Sequence, residues 1–288
     1  MSSAVQKKSD KWGLLVSMPT NHHMDELMGN LTPQLLLAMP FVLLLVIYLV
    51  LVVITIHRHK TWPVYRVVLW FVGVSCAIGA VSGPITVHGH INFNVHMIGH
   101  LLLGMLAPLL MVLAAPLTLV FRTINVRTAR ILSKILRTAP IRFINNPIIA
   151  SLLNMGGLWV LYTSSLYISM QQSILLHVVV HFHVFLAGFA FTSAFINIDP
   201  TPHRTSFAHR AIVLVLALTG HNVLSKYIYA YPPQGISANQ AESGAILMYY
   251  GGDVIDLILI IILCFQWYKA TRPQRKVGNQ NNHSFETK

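Results

Sequence analysis

Charged residues are scarce in this sequence. They make up 10% of its 288 residues, and only 8 residues are acidic, whereas an average soluble domain is about 25% charged. Hydrophobic residues make up 55% of the chain, and its mean hydropathy is +0.62. A soluble chain of this length buries an ample core without being so apolar. The composition therefore excludes a soluble enzyme, a disordered chain and a nucleic-acid-binding domain, and it indicates a membrane protein.

Cysteine is nearly absent, and the patterns of common hydrolases are missing. The only two cysteines, Cys76 and Cys264, form no CxxC motif and no disulfide framework. Both fall inside apolar segments, so we expect them to pack in the core. No Ser/His/Asp constellation, phosphate-binding loop or HExxH motif occurs, which argues against hydrolysis. We therefore expect a protein that is not an enzyme.

Long apolar runs recur along the chain, each long enough to cross a hydrocarbon core of about 30 Å as a helix. Seven runs are found, at residues 34–56, 66–87, 95–121, 147–168, 174–195, 210–229 and 246–267. The predicted fold class is all-α, a polytopic membrane protein with seven transmembrane helices. We expect residues 1–33 to form an extracytoplasmic tail, residues 34–268 the transmembrane domain, and residues 269–288 a cytoplasmic tail.

The net charge of +12 is distributed unevenly between alternate loops. Sixteen of the 20 Lys and Arg residues lie in residues 57–66, 122–146, 196–210 and 269–288. Because cytoplasmic loops are enriched in Lys and Arg, this predicts an external N-terminus and a cytoplasmic C-terminus. The positive charge therefore reflects orientation in a lipid bilayer and not nucleic-acid binding. Segment 122–146 is predicted either as a basic amphipathic helix on the anionic inner leaflet or as a solvated loop.

Proline and glycine predict where these helices bend or approach one another. Pro84 is expected to end the second span, and Pro108 and Pro116 to bend the third. Gly79 and Gly83 have the spacing of a small-residue face that allows close helix packing.

Histidine is the informative residue type at membrane depth. His96 and His100 open the third span, and His177 and His181 open the fifth. Each pair is spaced four residues apart, so its two imidazoles lie on one helix face. His183 is turned away from His181 around the same helix and is expected to pack elsewhere.

Two further ionisable groups are predicted at the same level. His221 lies in the sixth span and Asp253 in the seventh, with Asp256 one turn deeper. Counted from the outer helix ends, His100, His181, His221 and Asp253 lie about 7–12 Å inside. Such residues are costly in lipid and are functional candidates by default. For Asp253 we expect either a neighbouring imidazole or a bound cation as partner.

Imidazole nitrogens together with thioether sulfurs favour copper, particularly Cu(I). We therefore predict a copper site formed by His96, His100, His177, His181, His221 and Asp253. Met97 and Met248 lie at the same level. The N-terminal tail carries a further Met/His group, consisting of Met18, His22, His23, Met24 and Met28.

Three segments of this sequence resemble the CtaG family. The third-span run from His96 to Leu110, continuing to Ala115-Pro116-Leu117, is similar to the signature helix of that family. The His177 to His181 segment, followed by Phe185 and Gly188, resembles its second histidine segment. Ala241 to Asp253 resembles its last-span segment, although Tyr249 stands where the family usually has Trp.

CtaG proteins are bacterial membrane assembly factors for caa3-type cytochrome c oxidases. The resemblance implies a multi-pass protein of the bacterial plasma membrane that acts in the respiratory chain as a metallochaperone. Its expected partners are cytochrome c oxidase subunits, whose Cu_A or Cu_B centre it would help to mature. Oligomeric state is not indicated.

Two other functions fit the histidine pattern. In a membrane cytochrome, paired histidines on facing helices hold haem b. Two haems would stack across the membrane, however, whereas pairs spaced four residues apart lie at nearly one depth. A copper permease needs polar ligands through the whole membrane depth, and the inner halves of these spans are nearly bare of them.

The charge distribution generates a topological prediction. Reporter fusions after Tyr65, Pro140 and Thr205 should read as cytoplasmic, because basic loops are retained inside. Fusions near Asn92 and Gln171, together with one near Gln240, should read as external. An external signal from the 122–146 segment would overturn the orientation and move the histidine layer to the cytoplasmic side.

Overall fold

The computed structural model describes residues 21–58, 60–89, 91–200 and 205–272, and side chains from residue 33 onward. These residues form helices and no strand. In chain order the helices are α1 Asn21–His57, α2 Val64–Val81, α3 Pro84–Gly89, α4 Phe93–Thr123, α5 Val126–Leu136, α6 Ala139–Ile144, α7 Pro147–Thr163, α8 Leu166–Gln172, α9 Ile174–Phe195, α10 Phe207–Ala230 and α11 Ala238–Thr271.

Six of the described helices are long and apolar enough to cross a membrane, and α7 with α8 forms a seventh candidate. The prediction of a polytopic all-α membrane protein is therefore confirmed. Large apolar side chains such as Leu35, Met39 and Leu43 are exposed along α1, which fits contact with lipid chains. Cys264 is also exposed and Cys76 only half-buried, so core packing was a wrong prediction for Cys264.

Several helix bounds differ from the predicted spans, and the first helix begins at Asn21 where 34 was predicted. The fifth span, 174–195, coincides with α9. The second helix ends at Val81 and not at 87, because Gly83 takes a left-handed φ of 76° and Pro84 starts a new helix. The interruption thus lies beside Pro84, where the outer end of the span was expected to loosen. The last helix begins at Ala238, earlier than the predicted 246, since its polar first turns lie outside the apolar run.

The fourth span is not the single helix predicted for 147–168. Helix α7 ends at Thr163, and α8 departs at an angle of 80°. The Thr163 and Ser164 hydroxyls donate to carbonyls of the preceding turn at 2.6 Å. Such bonds compete with the helical ladder and bend helices. Three consecutive hydroxyl residues, at 163–165, therefore mark the end of this helix, which the hydropathy of the span does not indicate.

The third span deviates from ideal geometry next to both of its prolines. Residues Leu102–Leu106 form a π-helical segment before Pro108. Ala115 adopts a left-handed φ of 53° directly before Pro116. The carboxylate of Asp199 then accepts hydrogen bonds from the Leu117 and Thr118 amides at 3.1 and 2.8 Å, capping the last part of α4. The helix is therefore irregular before each proline, and the predicted bends stay a prediction.

Helices α4 and α9 make their closest approach at two glycines. A Cβ built on Gly188 would lie 2.0 Å from the Gly104 carbonyl oxygen and 3.2 Å from Pro108 Cγ. Pro108 has no N–H, so it leaves the carbonyl four residues earlier, that of Gly104, without its α-helical donor. The Gly188 hydrogen that takes the place of Cβ points at this oxygen, as in other Cα–H···O contacts between helices.

Gly79 and Gly83 do not form the small-residue packing face predicted for them. A Cβ on Gly79 would meet nothing within 4 Å, and Gly83 belongs to the turn after α2. The interpretation of that motif was wrong because spacing alone does not show whether a helix packs on the face concerned. Gly104 and Gly188, on different helices, take this role instead.

The basic segments meet at one end of the helix bundle. Arg122 donates to the Thr61 carbonyl at 3.0 Å, and Lys60 to the Arg122 carbonyl at 3.3 Å. Asn197 donates its amide to the Gln266 side chain at 3.4 Å, joining the 196–210 segment to the end of α11. We call the opposite end, where Phe93 donates its amide to Gln240 at 3.3 Å, the outer end. Helix α5 lies at the basic end without a buried residue, and its contact with the inner leaflet stays a prediction.

Replacing Gly188 by Ala should destabilise the protein. The new methyl group would collide with the Gly104 carbonyl, and overpacking of this kind costs about 1–3 kcal/mol. Thermal unfolding of the detergent-solubilised protein measures the effect. Gly220→Ala is the matched control, because a Cβ at Gly220 meets nothing within 4 Å and gains about 1 kcal/mol in helix propensity. An unfolding temperature for Gly188→Ala equal to that of the control would contradict the close contact.

Candidate functional site

Both histidine pairs line one small cavity near the outer end. The cavity has a volume of about 40 Å³ and is lined by His96 and His100 from α4 and by His177 and His181 from α9. Tyr162 of α7 and Met170 and Gln171 of α8 complete its wall. The bend between α7 and α8 turns α8 across the mouth of the histidine cluster. We refer to this space as the histidine cavity.

The two histidines of α9 contact each other, and the backbone of the first holds the ring of the second. The His177 and His181 rings stack with their centroids 4.1 Å apart. His181 Nδ1 lies 2.8 Å from the His177 carbonyl oxygen. Because a carbonyl oxygen only accepts, Nδ1 of a neutral His181 carries the proton, and the lone pair is on Nε2. This nitrogen is therefore the one through which His181 can bind a metal ion.

The α4 pair is held by tyrosines. His96 Nε2 lies 3.2 Å from the Tyr162 hydroxyl, and the Tyr167 ring packs edge-on against the His96 ring at 5.0 Å. His100 is buried at the start of the π-helical segment, and its Nε2 atom has no hydrogen-bond partner. A π-helical turn beside a functional side chain is a common arrangement.

Tyr162 and Tyr167 are site residues that sequence reasoning missed. Both are buried at the bend between α7 and α8, where they contact the histidines. A tyrosine within an apolar span could have indicated them, because a buried tyrosine hydroxyl normally finds a hydrogen-bond partner. Tyrosine is neither charged at neutral pH nor a soft metal ligand, so its position in the chain did not mark it as a site residue. The unbroken helix predicted for the fourth span also gave no reason to place Tyr162 and Tyr167 beside the histidines.

His221 lies behind His100 and not in the wall of the histidine cavity. It is fully buried, and its ring centroid is 6.4 Å from that of His100. Gly252 of α11 makes room for it, since a Cβ there would lie 2.5 Å from His221 Cε1. Neither of its ring nitrogens has a hydrogen-bond partner.

Asp253 is half-buried and paired with an amide. The Asn222 Nδ2 atom donates to its carboxylate at 3.2 Å, a partner that the sequence analysis did not anticipate. Asn222 carries no charge, so the pattern of ionisable residues did not indicate it as a partner. The carboxylate also interacts electrostatically with the neighbouring His221 ring.

A row of polar side chains runs from the histidine cavity between α10 and α11. Among the described residues, seven buried side-chain atoms lack a hydrogen-bond partner, and five of them belong to His100, His221, Asn222 and Asp256. Buried polar groups are normally satisfied. Their concentration next to the cavity indicates a region suited to water or another polar ligand.

The six predicted ligands are thus divided between two adjoining places. Four histidines line the cavity, whereas His221 and Asp253 belong to the polar row behind His100. No group of three or more His, Cys, Asp or Glu side chains in the described part of the chain is arranged to hold a metal ion. The cavity does offer neutral nitrogen donors and one thioether, which is a donor set that suits Cu(I).

The remaining soft or basic candidates lie outside this cavity. Met97 and Met248 are fully buried in the apolar core and do not line it, whereas Met170 does. His183 faces the Leu153 carbonyl at 3.2 Å and so packs elsewhere, as expected. The tail group, Met18, His22, His23, Met24 and Met28, falls outside the residues whose side chains are described.

Comparison with known proteins gives a family and several relatives. The family described as cytochrome c oxidase caa3 assembly factor matches residues 46–270. An uncharacterized protein of Mycobacterium leprae is 26% identical over 250 residues, covering 79% of this chain and 38% of that protein. Uncharacterized proteins of Mycobacterium bovis and Mycobacterium tuberculosis are 26% identical over 249 residues, 79% of this chain and 37% of theirs. The chain therefore spans less than two-fifths of the length of these relatives. No solved structure matches it.

The family match covers most of the chain and includes every residue of the histidine cavity and of the polar row. It agrees with the resemblance found in the third, fifth and seventh spans. The chain belongs to the family of cytochrome c oxidase caa3 assembly factors.

Proposed function

We propose that this protein holds Cu(I) in the histidine cavity and transfers it to a caa3-type cytochrome c oxidase during assembly of that enzyme. The observation that carries the proposal is the convergence of two histidine pairs, from α4 and α9, on one cavity of about 40 Å³. On this view copper is a cargo, and the protein is a non-enzymatic metallochaperone of the bacterial plasma membrane. Oxidase subunits are its partners.

The donor atoms support a weakly coordinated, exchangeable ion. Nδ1 of His181 lies against a backbone carbonyl, which puts the lone pair of the neutral ring on Nε2, and Nε2 of His100 has no hydrogen-bond partner. Tyr162 holds His96 by its second nitrogen, as outer-shell partners of metal-binding histidines do. An incomplete coordination sphere suits transfer, because the client's ligands must compete for the ion.

The position of the cavity supports uptake from the outer side. It lies at the end of the helix bundle opposite the basic segments, which the positive-inside rule assigns to the cytoplasm. A volume of about 40 Å³ accommodates an ion or a water molecule, whose share of liquid volume is about 30 Å³. A porphyrin is far larger, so the cavity favours copper over the haem b alternative.

Removing one histidine from each pair should abolish copper retention. The purified wild-type protein, loaded with Cu(I) and freed of excess, should hold about one copper per chain, and His100→Ala/His181→Ala should lower its affinity by about 10- to 100-fold or more. Metal analysis measures the copper content. His183→Ala is the matched control, because His183 lies on α9 but faces Leu153, and it should bind as wild type does. Equal copper in the double variant and wild type would show that the pairs are structural.

Asp253→Asn should impair the site without unfolding the protein. An asparagine oxygen can still accept from Asn222, whereas the negative charge beside His221 is lost. We expect copper retention to fall about tenfold, together with oxidase activity in membranes, at normal protein abundance. Glu242→Gln, at an exposed carboxylate on the same helix, is the control. Unchanged activity would remove Asp253 from the site, and loss of the protein from immunoblots would make it a folding residue.

A further inference from the structure

A second cavity adjoins the histidine cavity near the outer end of the protein. It has a volume of about 380 Å³ and is lined mainly by Pro33 and Gln34 of α1, by α8, and by the first residues of α9. Thr86, Met170, Gln171 and His177 line both cavities. The two spaces therefore have these four side chains as a common wall. We refer to the larger one as the vestibule.

The side chains at this junction differ in chemistry from the rest of the vestibule. Gln34, Gln172 and Ser173 give the vestibule neutral polar walls, and none of the described residues that line it carries a Lys, Arg, Asp or Glu side chain. At the junction stand a thioether, Met170, and an imidazole, His177. Both are buried, with 3% and 7% of their surface exposed. Sulfur and imidazole donors are those that favour Cu(I) over hard cations.

Helix α8 places Met170 at this position. The 80° bend after α7 carries α8 across the histidine cavity, and Met170 lies in its last turn. The next helix begins with Ile174, so His177 follows after one turn of α9. The His177 ring in turn stacks on His181, with a centroid distance of 4.1 Å. Met170 and His177 thus line the same two cavities, and His177 is the neighbour of His181.

We propose that the vestibule is the route by which Cu(I) reaches the histidine cavity, and that Met170 and His177 are the transfer ligands at its inner end. This inference rests on the proposed function. Copper arrives bound to a carrier ligand, the Met170 sulfur and a His177 nitrogen bind as that ligand leaves, and the ion then exchanges onto His181. Every step is ligand exchange, so copper remains Cu(I) and no electron is transferred.

A transfer ligand should alter the rates of copper movement in both directions. Met170→Leu keeps the volume and apolarity of the side chain but removes the sulfur. Uptake from a Cu(I)–bicinchoninate complex and release to excess bicinchoninate should each slow about tenfold, equivalent to about 1.4 kcal/mol in activation free energy. Stopped-flow absorbance of the chelator complex, with the purified full chain in detergent, measures both rates.

Two further variants complete the test. Met97→Leu removes a buried thioether that lines neither cavity, and it should leave both rates unchanged. Gln172→Trp narrows the vestibule without adding or removing a donor of the histidine cavity, since Gln172 lines the vestibule alone. It should slow uptake and release in equal proportion. Because Gln172 is exposed, this variant remains informative if Met170→Leu does not fold.

The outcomes separate this inference from the function on which it rests. Slowing of uptake and release in both variants supports the route. Wild-type rates in both variants, with normal copper binding, would overturn the route and leave the proposed function intact. Faster release from Met170→Leu would make Met170 a ligand of the resting ion, which also contradicts a transfer role. If the wild-type protein takes up no copper, both proposals fail.

Discussion

The contact between Gly104 and Gly188 is the constraint on which the candidate site depends. Pro108 frees the Gly104 carbonyl, and Gly188 allows α9 to approach it without a side chain between them. His100 lies one turn before Gly104, and His181 lies two turns before Gly188. The separation of the two histidine pairs is therefore set by a backbone contact, and a bulkier residue at position 188 would move His181 away from His100.

The sequence predicted the helices well, because their number and class follow from hydropathy. The fifth span was predicted at its observed bounds, Pro84 starts a new helix, and the backbone is irregular before Pro108 and Pro116. The failures occurred where specific hydrogen bonds or packing decide the conformation. The bend at Thr163 depends on hydroxyl groups that hydropathy counts as neutral. Gly79 faces open space although its spacing matches a packing motif.

The grouping of the two histidine pairs was predictable from the sequence, whereas their surroundings were not. The four-residue spacing of His96 with His100, and of His177 with His181, fixes which rings share a helix face, and the structure brings both pairs to one cavity. Which tertiary neighbours hold them cannot be read from spacing. Tyr167 packs against His96 from α8, the helix that follows the unpredicted bend. The separate position of His221 likewise depends on how α10 and α11 pack at Gly252.

The early end of α7 has a consequence for the surrounding lipid. Residues Pro147–Thr163 give a helix about 25 Å long at 1.5 Å per residue, which is shorter than a typical hydrocarbon core of about 30 Å. A bilayer adapts to a short span by thinning locally, at a modest cost per Å of mismatch. Helix α8, turned by 80°, occupies the level that the missing turns would have filled. Local thinning beside α7 would bring the lipid headgroups, and with them bulk water, nearer to the histidine cavity than the full membrane thickness implies.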